Sequence, residues 1–212
     1  MGPVLSFLCI LSALAATGFS LSCNQCVGTG SSSCTGTTMT CPADNACGST
    51  RTVSTASGVT SSVFVMSCIP QNQCDTSGSI STADIKIKIG ITCCNTDNCT
   101  PSPSALPSDN SQPNGLTCRS CISATSDWCY TGDTVQCTGS EDMCLLQRTN
   151  IYAPSKLSTA FRGCATKNMC SLSSQSSAGD VKVTCTSGSF GLRSSIIFTS
   201  ILALAVSNIV YF

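Results

Sequence analysis

The sequence predicts an all-β fold made of two tandem disulfide-rich domains, and three observations support that prediction. The chain has 212 residues and nineteen cysteines, a density typical of proteins that fold in an oxidising compartment. The cysteines fall into two blocks with similar spacing, which indicates an internal repeat. Within each block, short segments alternate apolar and polar residues as β-strands do, and convincing helical periodicity is confined to the two ends of the chain.

The N-terminal segment, residues 1–20, is predicted to be a secretory signal peptide. Its apolar run at residues 4–16 is too short to span a bilayer, and Gly18 and Ser20 place small residues at the −3 and −1 positions of a cleavage site before Leu21. Removing this segment would also remove Cys9. The ten cysteines of the first block and the eight of the second would then all be available for disulfide bonds.

The two cysteine blocks are copies of one pattern. Both begin with L-x-C-x-x-C, at residues 21–26 and 116–121, and in both seven residues separate the second and third cysteines. Five residues separate the sixth and seventh, and the gap between the fifth and sixth is twenty residues in one copy and nineteen in the other. We therefore predict homologous domains at residues 21–100 and 116–187, called the first and second repeats below. Residues 101–115 are rich in Pro, Ser, Asn and Asp and predict an extended linker.

Each repeat is predicted to contain short strands joined by long turns. Residues 85–91 and 181–185 alternate apolar and polar side chains and predict the same half-buried strand in the two copies, and residues 63–66 and 160–161 mark another. Stretches rich in turn residues, at 54–62, 75–84, 150–158 and 171–179, are predicted to be hairpin tips. Large apolar residues are few, so disulfides, at about 2–4 kcal/mol each, must stabilise the folded state in place of an ample core.

The close of the first repeat is the most specific motif in the chain. Two adjacent cysteines are followed by a third five positions later, in the sequence CCNTDNC at residues 93–99. Together with the two L-x-C-x-x-C starts, it resembles the three-finger, snake-toxin-like fold of the lymphocyte-antigen and urokinase-receptor family. The resemblance implies the following disulfides: Cys23–Cys47, Cys26–Cys34, Cys41–Cys68, Cys74–Cys93, Cys94–Cys99, Cys118–Cys144, Cys121–Cys129, Cys137–Cys164 and Cys170–Cys185.

Two departures from the family pattern point to one subgroup of the family. Thr100 follows Cys99 where the family usually has Asn, and the second repeat lacks the final cysteine pair because Cys185 is its last cysteine. A two-domain chain with ten and then eight cysteines resembles the gamma-type phospholipase A2 inhibitors. That resemblance implies direct binding to the enzyme, although the apolar C-terminal tail departs from those soluble inhibitors.

The C-terminal apolar run, residues 196–212, has two interpretations. A single membrane span normally has basic residues on its cytoplasmic side, whereas Arg193 precedes this run. A glycolipid (GPI) attachment signal combines small residues, a spacer and an apolar tail, and residues 187–189 are Ser, Gly and Ser. We expect a GPI anchor at Ser187, loss of residues 188–212, and a location on the outer leaflet of the plasma membrane. Secretion without an anchor is the alternative.

Composition argues against catalysis and against nucleic acid as a partner. The chain has no histidine, which excludes Ser-His and Cys-His nucleophile pairs and histidine metal sites. Cysteine-only zinc at the C-x-x-C pairs is disfavoured by the even cysteine count, and Glu141 and Asp142 are expected to be a solvated surface pair. The formal net charge is zero, so no basic surface for nucleic acid is expected. We predict a protein that is not an enzyme and needs no metal or cofactor.

The resemblance to three-finger proteins implies recognition of an extracellular protein ligand through loop tips or the concave face of the sheet. The candidate contacts are Arg148, Ile151, Tyr152 and Leu157 in the middle finger of the second repeat, because exposed aromatic and arginine side chains anchor interfaces. Trp128 is either a further contact or, as we expect, part of the local core beside Cys129. Asn98 begins the one N-x-S/T sequon and is a candidate N-glycosylation site.

We therefore predict a non-catalytic receptor, co-receptor or adhesion module at the cell surface. The alternative is an extracellular phospholipase A2 inhibitor, and a third possibility is a structural coat protein without a saturable ligand.

Overall fold

The computed structural model describes residues 20–30, 32–102, 104–152, 156–172, 174–176 and 179–187. Nearly all of the predicted signal peptide and the whole of the predicted attachment signal lie outside these residues. In the described part, no helix is long and apolar enough to cross a membrane. The prediction of an all-β fold is confirmed, because regular structure there consists of strands and two short 3₁₀ helices, Gln71–Gln73 and Lys167–Ser171.

Thirteen strands are present in the described residues. In chain order they are β1 (Ser22–Thr29), β2 (Thr37–Thr40), β3 (Asn45–Ala56), β4 (Val59–Pro70), β5 (Ser77–Ser81), β6 (Ile85–Cys94), β7 (Pro113–Arg119), β8 (Cys121–Ser123), β9 (Thr134–Thr138), β10 (Met143–Ile151), β11 (Leu157–Ala165), β12 (Ser174–Ser176) and β13 (Gly179–Ser187).

The chain divides into two compact units. The first unit comprises the described residues within 20–51, 62–76 and 91–104, and its strands follow the order β2, β1, β4, β3, β6. Its buried side chains form two small clusters, one around the sulfurs of Cys23, Cys41 and Cys47 and one around Phe64 and Met66. Few apolar side chains are buried in this unit, so its disulfides both stabilise the fold and form a large part of the packed interior.

The second unit comprises the described residues within 52–61, 77–90 and 105–187. Its strands follow the order β12, β13, β10, β11, β5, β6, with β8 paired to β11 and a separate β7–β9 pair. Two of its buried clusters surround disulfide sulfurs, and the third, which is its apolar core, consists of Ile80, Leu145, Ala165 and Met169. Ile80 belongs to β5 of the first repeat, so part of the first repeat contributes to the core that supports the second.

β5 approaches β11 closely because residue 163 is glycine. The two strands pair antiparallel, with Cys164 opposite Ser81. A Cβ atom at Gly163 would lie 1.9 Å from the backbone oxygen of Ser81, a distance that no side chain can occupy. The absence of a side chain therefore allows this strand pairing.

The predicted hairpin tips are only partly as expected. In residues 54–62, β3 and β4 continue to a two-residue turn at Ser57 and Gly58, which have φ of 49° and 80° and so match the turn that joins tight hairpins. Hydroxyl groups pair across the strands beside it, Ser54 with Ser61 at 2.8 Å. The predictions for residues 75–84 and 171–179 were wrong in part, since these stretches contain β5 and β12. Their serines favour turns locally, but pairing with neighbouring strands overrides that preference.

Nine disulfides join cysteines of the described residues, and they are the nine pairs that the family resemblance implies. In each repeat, two disulfides lie side by side at the base of the fingers. The Sγ atoms of Cys23 and Cys41 are 3.0 Å apart, and those of Cys118 and Cys137 are 3.3 Å apart. Each of these neighbouring pairs of disulfides brings three cysteine sulfurs within 4.8 Å of one another, which resembles a metal site. All of these sulfurs are in disulfides, so the oxidised protein offers no thiolate there to a metal ion.

Candidate binding surfaces of the second unit

The hairpin of β10 and β11 presents two chemically different faces. Nine residue pairs connect the strands, from Met143 opposite Ala165 to Ile151 opposite Leu157. Side chains directly opposite each other in an antiparallel pair share a face, and alternate residues point to opposite faces. Leu145 and Ile151 therefore lie on one face and Arg148 on the other.

The first candidate surface is the tip of this hairpin, formed by Ile151, Tyr152 and Leu157 and called the fingertip below. Ile151 and Leu157 are opposite each other and are 37% and 44% exposed, and Tyr152 beside them is 52% exposed. The Tyr152 hydroxyl donates a hydrogen bond to the Asp180 carboxylate of β13. That bond, with smaller contributions from desolvation and the negative charge of Asp180, raises the pKa of Tyr152.

The four predicted contacts are therefore not one cluster. Ile151 and Leu157 share a face at the tip, whereas Arg148 lies on the opposite face, three residues before Ile151 in β10. Residues 153–155, which connect the strands, are outside the described part. Contact of any of the four with a ligand stays a prediction.

The second candidate surface is a series of stacked arginine and aromatic side chains, called the arginine–aromatic row below: Arg148, Trp128, Arg162, Tyr130 and Arg119. The guanidinium carbons of Arg162 and Arg148 lie 4.4 and 4.9 Å from the centre of the Trp128 ring. Those of Arg119 and Arg162 lie 5.6 and 5.9 Å from the centre of the Tyr130 ring. These distances are within the range of cation–π attraction.

The expectation that Trp128 belongs to the local core was wrong. Its side chain is 48% exposed and that of Tyr130 is 64% exposed, whereas Cys129 between them is buried in its disulfide with Cys121. The disulfide thus holds the chain while both rings project from it. The sequence analysis did not identify Arg119, Tyr130 and Arg162 as parts of a surface. The one feature of the sequence that indicates it is the position of two aromatic residues, Trp128 and Tyr130, on either side of Cys129.

Glu141 also departs from expectation. It was expected to be solvated with Asp142, but its side chain is 1% exposed. Its carboxylate accepts hydrogen bonds from the hydroxyls of Ser79 at 2.7 Å and Ser81 at 2.6 Å. Both serines lie in β5, about 60 residues earlier in the chain, so local sequence gave no sign of the contact. Asp142 is exposed, as predicted.

The two candidate modification sites are both exposed. Asn98 has a φ of 54°, and its side-chain oxygen accepts a hydrogen bond from the Thr38 hydroxyl at 3.4 Å. Ser187 is the last residue of β13 and pairs with Met143 of β10. Glycosylation of Asn98 and anchoring at Ser187 stay predictions.

Comparison with known families agrees with these features. A family model of the u-PAR/Ly-6 domain matches residues 20–102 and again residues 114–192. The chain therefore belongs to the u-PAR/Ly-6 domain family and contains two copies of the domain. The prediction of two tandem three-finger domains is confirmed.

Similar proteins include phospholipase A2 inhibitors and a urokinase receptor. Phospholipase A2 inhibitor NAI from Notechis ater is 31% identical over 173 residues, which cover 79% of this chain and 85% of the relative. A gamma-type phospholipase A2 inhibitor from Elaphe quadrivirgata is 30% identical over 192 residues, 86% of this chain and 94% of the relative. The urokinase plasminogen activator surface receptor of Aotus trivirgatus is 40% identical over 80 residues, 37% of this chain and 23% of the receptor. The predicted resemblance to gamma-type inhibitors is confirmed.

Proposed function

We propose that this protein is a non-catalytic extracellular binding protein that recognises a protein partner through the fingertip of its second repeat. The distribution of exposed large apolar side chains is the observation that carries the proposal. Of eight such side chains in the described residues, only Val27 and Val59 lie in the first repeat. The six in the second repeat are Ile122, Trp128, Tyr130, Ile151, Tyr152 and Leu157.

The fingertip has the properties of a preformed anchor. Burying a fully exposed large apolar side chain contributes about 1.5–3 kcal/mol. Ile151 and Leu157 are adjacent and are 37% and 44% exposed, so burial of their remaining surface contributes less than half of that each. The Cys137–Cys164 disulfide and the pairing of β10 with both β11 and β13 fix the hairpin. A fixed hairpin loses little conformational entropy on binding, so more of the contact energy appears as affinity.

The test is a binding screen of the purified oxidised protein against secreted proteins and receptor ectodomains. Ile151→Asp and Leu157→Asp should abolish saturable binding because they place a charge in the apolar contact. Val59→Asp is the matched control, since Val59 is 73% exposed and follows the hairpin turn of the first repeat. Equal loss of binding in the control, or binding that survives both fingertip substitutions, would overturn the proposal.

Inhibition of a secreted phospholipase A2 is the second candidate function. Two relatives with this printed function align with most of this chain and with most of their own length, which supports the enzyme as the partner class. An activity assay of secreted phospholipases with the protein in molar excess tests it. Stoichiometric inhibition of the enzyme, lost in the Leu157→Asp variant, would support phospholipase A2 as the partner and the fingertip as the surface that contacts it. Absence of binding to any phospholipase would remove this candidate and leave the first one standing.

We further propose that the mature protein comprises domains at residues 21–100 and 116–187 and is held on the outer leaflet by a GPI anchor at Ser187. The exposed position of Ser187 at the end of β13 supports access to the transamidation machinery, and a related surface receptor supports a place at the cell surface. Phosphatidylinositol-specific phospholipase C should release the protein from intact cells. Protein that stays on the membrane with Phe212 intact by mass spectrometry would exclude the anchor.

A further inference from the structure

The arginines of the arginine–aromatic row form no direct ion pair with a carboxylate of the described residues. All ten Asp and Glu residues of the chain lie in the described part, where the single ion pair joins Lys88 and Asp109. No carboxylate oxygen therefore lies within 4.0 Å of a guanidinium nitrogen of Arg119, Arg148 or Arg162. The aromatic rings offset part of the repulsion between these cations, and an external anion would offset the rest.

Strand register places further positive charge beside the row. Arg148 is opposite Ala160, and Arg162 is two residues further along β11, so the two arginines are diagonal neighbours on one face. Lys182 of β13 is directly opposite Arg148 and is exposed. Like charges in these positions destabilise a sheet, so their arrangement on one face is better explained by binding than by stability.

The guanidinium groups are held in place. Arg148 and Arg162 are held against the Trp128 ring, and Arg119 donates from Nη1 to the backbone oxygen of Gly132 at 3.0 Å. The Nε atoms of Arg148 and Arg162 are buried without a hydrogen-bond partner, so an external oxyanion would be bound by the Nη donors of these two arginines. A guanidinium group fixed by stacking loses little entropy when it binds, and its planar edge can donate two parallel hydrogen bonds to one oxyanion.

An open groove of about 500 Å³ adjoins the row. Arg119 and Arg162 line it together with the threonines Thr117, Thr184 and Thr186. Guanidinium and hydroxyl donors therefore converge on the same space, in a chain whose formal net charge is zero. A polyanion would be attracted to this local cluster and not to the protein as a whole.

We propose that the arginine–aromatic row binds a sulfated polysaccharide of the extracellular matrix. Three fixed cations in series match a linear ligand that carries oxyanions at intervals along a stiff chain, and sulfate accepts the bidentate hydrogen bonds that arginine offers. The site is separate from protein recognition by Ile151 and Leu157, because the row occupies the other face of the β10–β11 hairpin. It does not depend on the protein partner proposed above.

The test uses the purified oxidised protein and heparin. We expect binding at about 0.15 M salt, with a change in the fluorescence of Trp128, the one tryptophan in the chain. Arg148→Ala combined with Arg162→Ala should weaken the affinity by at least about tenfold. The double variant should also reduce the slope of log affinity against log salt by about 2, in proportion to the lost ionic contacts.

Matched variants separate the site from general charge and from misfolding. Lys167→Ala removes one exposed cation of the same repeat outside the row and should leave affinity nearly unchanged. Arg162→Lys keeps the charge but loses the planar donor edge, and it should bind more weakly than the wild type. Unchanged circular dichroism of each variant shows that its fold is intact.

Several outcomes would overturn the proposal. They are absence of heparin binding by the wild type, an equal loss in Lys167→Ala and the double variant, and equal affinity for fully desulfated heparin. Tighter binding to phosphatidylserine vesicles or to polyglutamate than to heparin would also overturn it, by assigning the row to a lipid surface or an acidic peptide.

Discussion

Glu141→Ala tests whether this buried carboxylate stabilises the fold through its contact with β5. In the folded protein the Glu141 carboxylate accepts hydrogen bonds from two buried hydroxyls, those of Ser79 and Ser81. Two hydrogen bonds to a charged acceptor contribute about 3–6 kcal/mol, and the desolvation cost of the carboxylate offsets part of that. We expect Glu141→Ala to lower the free energy of unfolding by about 2–4 kcal/mol.

The assay is urea unfolding of the oxidised protein, followed by Trp128 fluorescence. Glu141→Gln keeps one acceptor oxygen and should lose roughly half as much stability as the alanine variant. Asp142→Ala is the matched control because Asp142 is the adjacent carboxylate and is exposed, and its stability should change by less than about 0.5 kcal/mol. If Glu141→Ala and Asp142→Ala unfold at the same urea concentration, the hydrogen bonds to β5 do not stabilise the fold and the reasoning fails.

Two other substitutions have defined outcomes. Gly163→Ala should destabilise the protein by about 1–3 kcal/mol, because its Cβ would meet the Ser81 oxygen; a thermal midpoint equal to that of the wild type would show that β5 can move away without cost. Asp180→Ala should lower the Tyr152 pKa towards about 10, since the hydrogen bond to Asp180 is the main cause that raises it. Because the pKa of Tyr152 is higher in the folded than in the unfolded protein, its hydrogen bond to Asp180 stabilises the fold below the unfolded-state pKa. This stabilisation is lost as the pH rises through the folded-state pKa. An ultraviolet titration of Tyr152 that Asp180→Ala leaves unchanged would contradict this reasoning.

The repeat and the strands with two distinct faces could be predicted because their signals are local or periodic. In β6 the alternation of apolar and polar residues is visible within seven residues, IKIKIGI. The repeat is visible because both copies share the same cysteine spacing. The environment of Glu141 could not be predicted, because the serines that bind it come from another repeat. The arginine–aromatic row was missed for a similar reason: its members come from β7, β10, β11 and the loop around Cys129, and only pairing brings them together.

Period-two alternation in β10 explains how one hairpin can carry two independent surfaces. Leu145 is buried in the core at the base of the face that ends in the exposed Ile151, while Arg148 lies on the opposite face against Trp128. A substitution therefore acts on one face and leaves the other nearly unchanged. Ile151→Asp should abolish binding of the protein partner and retain binding of heparin, whereas the variant with Arg148→Ala and Arg162→Ala should do the reverse. Loss of both activities in either variant, with an intact fold, would mean that the two surfaces form a single site.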